Sequence, residues 1–130
     1  MFGRVLILML MLVRAASAAD APTSIWRVVE LNGVPFDARA TLDLSDPAKV
    51  AGQGPCNRFF AERTGLWPDI HLGGMVATEM ACKDLAQEDR YFTALSKVVR
   101  GEITVAEVGT ALILSGPDGA PRLALIPDGP

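Results

Sequence analysis

The two cysteines of this chain, Cys56 and Cys82, constrain its fold more than any other feature. Both follow an N-terminal segment that has the pattern of an export signal. Two cysteines in an oxidising compartment usually form one disulfide, so we expect a Cys56–Cys82 bridge that closes a loop of about 26 residues. Two free buried thiols are the alternative. A redox-active pair is disfavoured because the close Cys-x-x-Cys spacing is missing.

Residues 1–18 have the order of a signal peptide: a short charged start, an apolar run and a small-residue end. The apolar run covers residues 5–13, well short of the roughly 20 residues that a membrane-spanning helix needs. We expect cleavage near Ala18, a periplasmic or secreted product and no stable membrane anchor after cleavage. A retained anchor or a cytoplasmic protein with an apolar N-terminus is the alternative.

The mature chain is short and acidic. The 130 residues less the 18 of the signal leave 112, which is the size of one domain. Loss of Arg4 and Arg14 takes the formal net charge from −3 to −5. An acidic chain attracts phosphate backbones poorly, so we expect no nucleic-acid partner. We also expect a monomer.

The pattern of the mature chain predicts short strands, one helix and further strands. The strand candidates are rich in β-branched residues or alternate apolar with polar residues, and turn residues separate them. They are residues 25–31, 40–44, 59–63, 70–72, 102–108, 111–115 and 122–126. Asn32 and Gly33 indicate a turn after the first of these, and Gly73 and Gly74 indicate a sharp turn after the fourth. The sequence therefore predicts an α+β fold in which a strongly twisted, barrel-like antiparallel sheet packs against one helix.

The predicted helix covers residues 85–99 and has an apolar face. That face consists of Leu85, Phe92, Leu95 and Val99, with Tyr91 and Val98 beside it. Asp84 is a suitable N-cap, and Gln87 completes a capping-box-like start. Glu88 and Asp89 are interpreted as solvated charges. If the helix covers the sheet incompletely, an apolar groove remains beside Phe92 and Leu95; a fully packed core without a groove is the alternative.

Several short motifs in a fixed order resemble the META/HslJ domain. They are Trp26, Leu31-Asn32-Gly33 with Pro35, Gly52, Cys56-Asn57-Arg58-Phe59, Thr78, Met80-Ala81-Cys82 and Gly109-Thr110-Ala111-Leu112-Ile113-Leu114. The resemblance covers residues 25–126. It implies a bacterial, mostly envelope-associated domain linked to stress responses, with a small α+β fold and no settled catalytic residues.

Asn57, Thr78, Met80 and Ala81 are the family-signature residues that neighbour the two cysteines. For Asn57 we expect side-chain hydrogen bonds to nearby backbone in a turn, with a ligand contact as the alternative. Thr78 is likewise interpreted as a local backbone partner rather than a nucleophile.

The sequence offers little catalytic chemistry. His71 is the only histidine, and its position between Ile70 and Leu72 predicts an outward side chain on a strand. One histidine and two bridged cysteines do not build a usual zinc site, and no nucleophile elbow, phosphate loop or dinucleotide motif is present. We therefore expect no metal, no cofactor and no catalytic residue. The favoured function is an envelope domain that binds a protein or an apolar ligand; the alternative is a small hydrolase with an atypical site.

Overall fold

The computed structural model describes residue 22 and residues 24–129. The predicted signal peptide and its cleavage point at Ala18 lie outside these residues. The chain forms nine strands and one helix in the described part. They are β1 (Ile25–Leu31), β2 (Val34–Pro35), β3 (Thr41–Asp43), β4 (Lys49–Gln53), β5 (Arg58–Thr64), β6 (His71–Ala77), α1 (Leu85–Ser96), β7 (Arg100–Ala106), β8 (Gly109–Ser115) and β9 (Pro121–Pro127).

All nine strands belong to one antiparallel sheet that curls strongly but does not close. Their order in space is β6-β5-β4-β3-β1-β9-β8-β7, and β2 pairs with β1 beside this path. An isolated bridge between Asp69, just before β6, and Arg100, the first residue of β7, brings the two edges close together without a continuous ladder. On either side of it, the Ile70 N–H donates to the Val99 carbonyl at 3.0 Å and the Gly101 N–H to the Pro68 carbonyl at 2.8 Å. The predicted fold class, a twisted barrel-like antiparallel sheet with one helix, is confirmed.

The predicted strand β1 and the turn after it are also confirmed. Asn32 and Gly33 have φ angles of 50° and 80°, the left-handed conformations that a two-residue hairpin turn needs. Successive side chains of β5 point to opposite faces of the sheet, so that Phe59 is buried and Phe60 is about half exposed. Strand β4 was not predicted, since its short run of small residues lacks a clear alternation.

The predicted turn at Gly73 and Gly74 is wrong, because both residues lie inside strand β6. The pairing of β5 with β6 shifts register between Ala61 and Arg63, opposite these glycines. A Cβ atom at Gly73 would lie 3.3 Å from the Cβ of Glu62, so the glycine permits a close approach of the two strands at the irregularity.

Helix α1 covers one end of the curled sheet, but it is rotated relative to the prediction. Its buried residues are Glu88, Tyr91, Ala94 and Leu95, followed by Val98 just after the helix. Leu85, predicted to face the core, is exposed, and Phe92 is only partly buried. The helix ends at Ser96 rather than Val99, and the N–H groups of Lys97 and Val98 bond back to the last turn.

The predicted N-cap is not formed. Asp84 precedes the helix but makes no side-chain capping hydrogen bond, and Gln87 instead accepts a bond from Arg90. The N–H group of Glu88 bonds to the backbone carbonyl of Asp84, so the first turn is closed by main-chain groups.

The core fills the inside of the curled sheet. Trp26, Leu42, Val50, Phe59, Leu112 and Leu125 are among its strand residues, and α1 adds Tyr91 and Leu95. The Tyr91 hydroxyl donates to the Thr41 carbonyl at 3.0 Å, and complete burial raises the pKa of Tyr91. Trp67, in the loop between β5 and β6, is partly buried against the core. Among the described residues, no helix has the length and apolar content needed to cross a membrane.

Candidate functional site

The disulfide between Cys56 and Cys82 joins two connections at one end of the sheet. The Cα atoms are 5.6 Å apart and the bridge spans 26 positions of sequence, as predicted. It links the β4–β5 connection to the segment between β6 and α1. These two segments carry all four predicted signature residues, so the bridge positions the candidate site.

Asn57 lies beside the bridge and is almost fully buried, with 4% of its surface exposed. Its amide nitrogen donates to the Met80 carbonyl at 2.9 Å and to the Glu88 carboxylate at 2.6 Å. Its amide oxygen accepts from the Thr78 hydroxyl at 2.9 Å and from the Met80 N–H at 2.6 Å. Both donors and both lone pairs of the amide are therefore used.

The expectation that Asn57 bonds to nearby backbone is wrong, since its partners are 21 to 31 positions away in the sequence. The expected local backbone partner of Thr78 is likewise replaced by the Asn57 side chain. Asn57 acts as a connector that holds the segment before α1 against the start of β5.

The buried position of Glu88 differs from the sequence-based prediction. The residue was interpreted as a solvated charge, but only 2% of its surface is exposed. Its Oε2 atom accepts from the N–H groups of Cys56 and Asn57, each at 2.7 Å, and its Oε1 atom accepts from the Asn57 amide. Hydrogen bonds to a carboxylate are stronger than neutral ones, and three of them satisfy this buried charge. The signal was its helical spacing with Tyr91, Leu95 and Val98, which places Glu88 on the buried stripe.

Gly54 makes room for this carboxylate. A Cβ atom at position 54 would lie 2.6 Å from the Oε2 atom of Glu88 and 3.1 Å from the Asn57 carbonyl oxygen. The Gly54 N–H also donates to that carbonyl at 2.7 Å, which closes the turn before β5. The backbone of this connection can therefore approach the helix only because the residue lacks a side chain.

An apolar surface lies directly over the Asn57–Glu88 cluster. A depression of about 300 Å³ opens between the segment before α1 and the first turns of the helix. Met80, Leu85 and Phe92 supply its apolar wall, with Ala81 beside them, and Asn57 and Glu88 lie at its base. Met80 is 66% exposed and Leu85 is 39% exposed. We call Met80, Leu85 and Phe92 the Met80 surface.

An apolar groove was predicted beside Phe92 and Leu95, but only Phe92 borders the observed depression. Phe92 lines the depression, and its ring packs against Phe59 with centroids 5.1 Å apart. Leu95 is 1% exposed and belongs to the core, so it does not line this depression. Whether the depression binds anything stays a prediction.

His71 faces outward from β6, as predicted. It lines a second depression, of about 610 Å³, together with Asp69, Arg100, Glu102 and Ser115. Asp69 forms an exposed ion pair with Arg100 at 3.5 Å. Within residues 24–129, no group of three or more histidine, cysteine or acidic side chains is placed to hold a metal ion.

A family model matches most of the chain. The model of the META domain matches residues 19–126. The chain belongs to the META domain family. This confirms the resemblance inferred from the motifs around Asn57 and Met80, and the META domain match includes both cysteines. Comparison with curated protein sequences gives no match.

Two solved structures resemble this META domain in fold. An NMR structure of a protein from Burkholderia xenovorans is 18% identical, with a TM-score of 0.64, and the match covers 88% of each chain. A second NMR structure is 16% identical, with a TM-score of 0.58, and the match covers 85% of this chain and 93% of the other. At these identities the likeness concerns the fold alone.

Proposed function

We propose that this META domain is an exported, non-catalytic domain of the bacterial cell envelope that binds a partner protein or an apolar ligand at the Met80 surface. The stress-related role that the family resemblance implies is part of this proposal. A nucleic-acid partner is disfavoured by the acidic net charge.

The observation that carries the proposal is the rigid presentation of Met80. Its side chain is two-thirds exposed, while its N–H and carbonyl groups are both bonded to the buried Asn57 amide. A methionine side chain adapts to varied apolar partners, and a fixed backbone reduces the entropy lost on binding. Leu85 and Phe92 extend the apolar area around a depression that can receive a side chain or part of an acyl chain.

Export is supported by two observations. The Cys56–Cys82 bridge suits an oxidising compartment, and residues 1–18 have the order of a signal peptide. The same bridge, together with Glu88 and Asn57, fixes the segment that carries Met80. The disulfide therefore supports the proposed compartment and also stabilises the segment that carries the proposed binding surface.

A binding assay with matched variants tests the proposal. The mature chain is immobilised and incubated with envelope extract, and both proteins and extractable lipids are identified. We expect Met80→Asp and Leu85→Asp to lower recovery of one specific partner by about tenfold, or about 1.4 kcal/mol. Val34→Asp is the control, because Val34 is also exposed but lies on β2. Equal recovery with all three variants would contradict a site at the Met80 surface.

The alternative, a small hydrolase, has one observation in its favour. His71 shares its depression with Ser115 and with the carboxylates of Asp69 and Glu102. Hydrolytic turnover that His71→Ala abolishes, and that Met80→Asp leaves unchanged, would replace the binding function by this alternative.

A further inference from the structure

The depression at the Met80 surface is bordered by charges of one sign. Glu79, Glu88 and Asp89 line it, and no lysine, arginine or histidine of the described residues does so. Glu88 lies buried at the base, whereas Glu79 and Asp89 are exposed. An apolar group that enters the depression therefore passes carboxylates at its edge and meets a third beneath it.

These three carboxylates are not neutralised by ion pairs within residues 24–129. The ion pairs of that part of the chain use the carboxylates of Asp69, Asp118 and Asp128. Glu88 accepts hydrogen bonds from two backbone N–H groups and one side-chain amide, and none of these donors carries a formal charge. The N-terminus of α1 adds a partial positive charge of about half a unit, which offsets only part of the negative charge.

Cationic side chains lie on a different face of α1. Arg90, Lys97 and Arg122 line a separate depression of about 250 Å³. Asp89 borders both depressions, but within the described residues it forms no ion pair with any of the three, and Arg122 pairs with Asp118 instead. Charge is thus separated around the helix, and the Met80 surface lies on the negative side.

We propose that the partner bound at the Met80 surface is a cationic protein segment, in which lysine or arginine residues flank the apolar side chain that enters the depression. This inference rests on the proposed binding function and assigns its partner to one chemical class. Opposite charges near a protein surface attract more strongly than in bulk water, and complementary charge at the rim of an interface speeds association. A fatty acid would instead bring its carboxylate close to Glu79 and Asp89, and such like-charge contact is unfavourable.

Fluorescence anisotropy of the mature, oxidised chain with three labelled peptides tests the charge of the partner. The peptides share leucines at helical spacing and carry lysine, glutamine or glutamate at every other position. We expect the lysine peptide to bind with a Kd at least about tenfold below that of the glutamine peptide, and the glutamate peptide to bind most weakly. Higher ionic strength should reduce this preference, because salt screens exposed charges.

Neutral variants show which carboxylates attract the peptide. Glu79→Gln and Asp89→Asn are each expected to weaken the lysine peptide by about two- to fivefold, as for other exposed ion pairs, and to leave the glutamine peptide unchanged. Glu107→Gln is the control, because it changes the net charge equally but lies in the exposed turn between β7 and β8. An equal loss in all three variants would show that net charge alone attracts the peptide, and would overturn the proposal.

Met80→Ser separates this inference from the proposed function, because it removes the apolar contact without adding a charge. We expect it to weaken the lysine and glutamine peptides by similar factors. If the lysine and glutamate peptides bind equally and Met80→Ser weakens both, the Met80 surface binds but its partner is not cationic, and this inference alone is wrong. If the lysine peptide is preferred but Met80→Ser leaves its Kd unchanged, the peptide binds elsewhere and both proposals are contradicted. Absence of binding by the lysine peptide would also overturn the inference.

Discussion

Glu88 and Asn57 form the polar centre on which the Met80 surface rests. The buried carboxylate accepts three hydrogen bonds, and the buried amide uses every donor and acceptor it has. A polar network of this kind is stabilising only while each member is satisfied, because an orphaned buried group loses its solvation without replacement. Single substitutions of Glu88 or Asn57 should therefore lower the free energy of unfolding strongly, even when they change few atoms.

Glu88→Gln tests the network with minimal change of shape. Glutamine has only one acceptor oxygen, so its NH₂ group must face at least one of the donors that now bond to Glu88. We expect the free energy of unfolding to fall by about 1–3 kcal/mol in urea titrations. Asp89→Asn is the control, because the neighbouring carboxylate is exposed. A similar loss in both variants would show that helix charge, and not the buried network, determines the effect.

Gly54→Ala probes the space above the same carboxylate. The new methyl group would lie 2.6 Å from the Oε2 atom of Glu88, so the carboxylate or the turn must shift. We expect a loss of about 1–3 kcal/mol in unfolding free energy. Gly74→Ala is a matched control, since no atom lies within 4 Å of its added Cβ. Unfolding midpoints that fall equally in the two variants would contradict this role of Gly54.

At the scale of elements, the disulfide and Asn57 hold the same two connections together. In the loop-entropy model a bridge over this separation contributes about 3.5 kcal/mol. We expect Cys82→Ala to lower the unfolding free energy by about 2–5 kcal/mol. Because both features fix the segment before α1, Asn57→Ala and Cys82→Ala should be non-additive by at least about 0.5 kcal/mol in a double-mutant cycle. Strict additivity would show that the two act independently.

The local sequence pattern predicted some features of the strands and the helix correctly and others wrongly. The alternation in β5 and the Asn32-Gly33 turn were readable because period and turn chemistry are local properties. The buried face of α1 was predicted wrongly, since Glu88 is polar and becomes part of the buried stripe only through its partners in the β4–β5 connection. Gly73 and Gly74 of β6 were predicted to form a turn. In the sequence, a glycine that permits two strands to approach closely cannot be distinguished from a glycine that forms a turn.

The candidate site was predicted only in part, for the same reason. The pairing of Cys56 with Cys82 followed from there being two cysteines in an export context. The bonds from Asn57 to Met80 and Glu88 join positions more than 20 residues apart, and only the curled sheet brings them together. Residue type therefore marked Asn57 as a polar partner, while the identity of its partners depended on the tertiary fold.

In the whole molecule, the buried Asn57–Glu88 network and the disulfide form a stabilising frame beneath the exposed Met80 surface. Met80→Asp alters a side chain that is two-thirds exposed and bonds to the frame only through its backbone. We expect the unfolding free energy to change by less than about 0.5 kcal/mol, as for other exposed positions. A larger loss, measured by urea titration, would mean that the Met80 side chain itself stabilises the fold.

Site-specific photo-crosslinking in intact envelopes tests binding at the Met80 surface directly. A photoreactive amino acid replaces Leu85 in one variant and Val34 in the other. Because Leu85 borders the depression and Val34 lies on β2, we expect one discrete adduct from position 85 that is absent from position 34. Loss of this adduct on adding Met80→Asp would complete the assignment. The same adducts from both positions, or none from position 85, would contradict it.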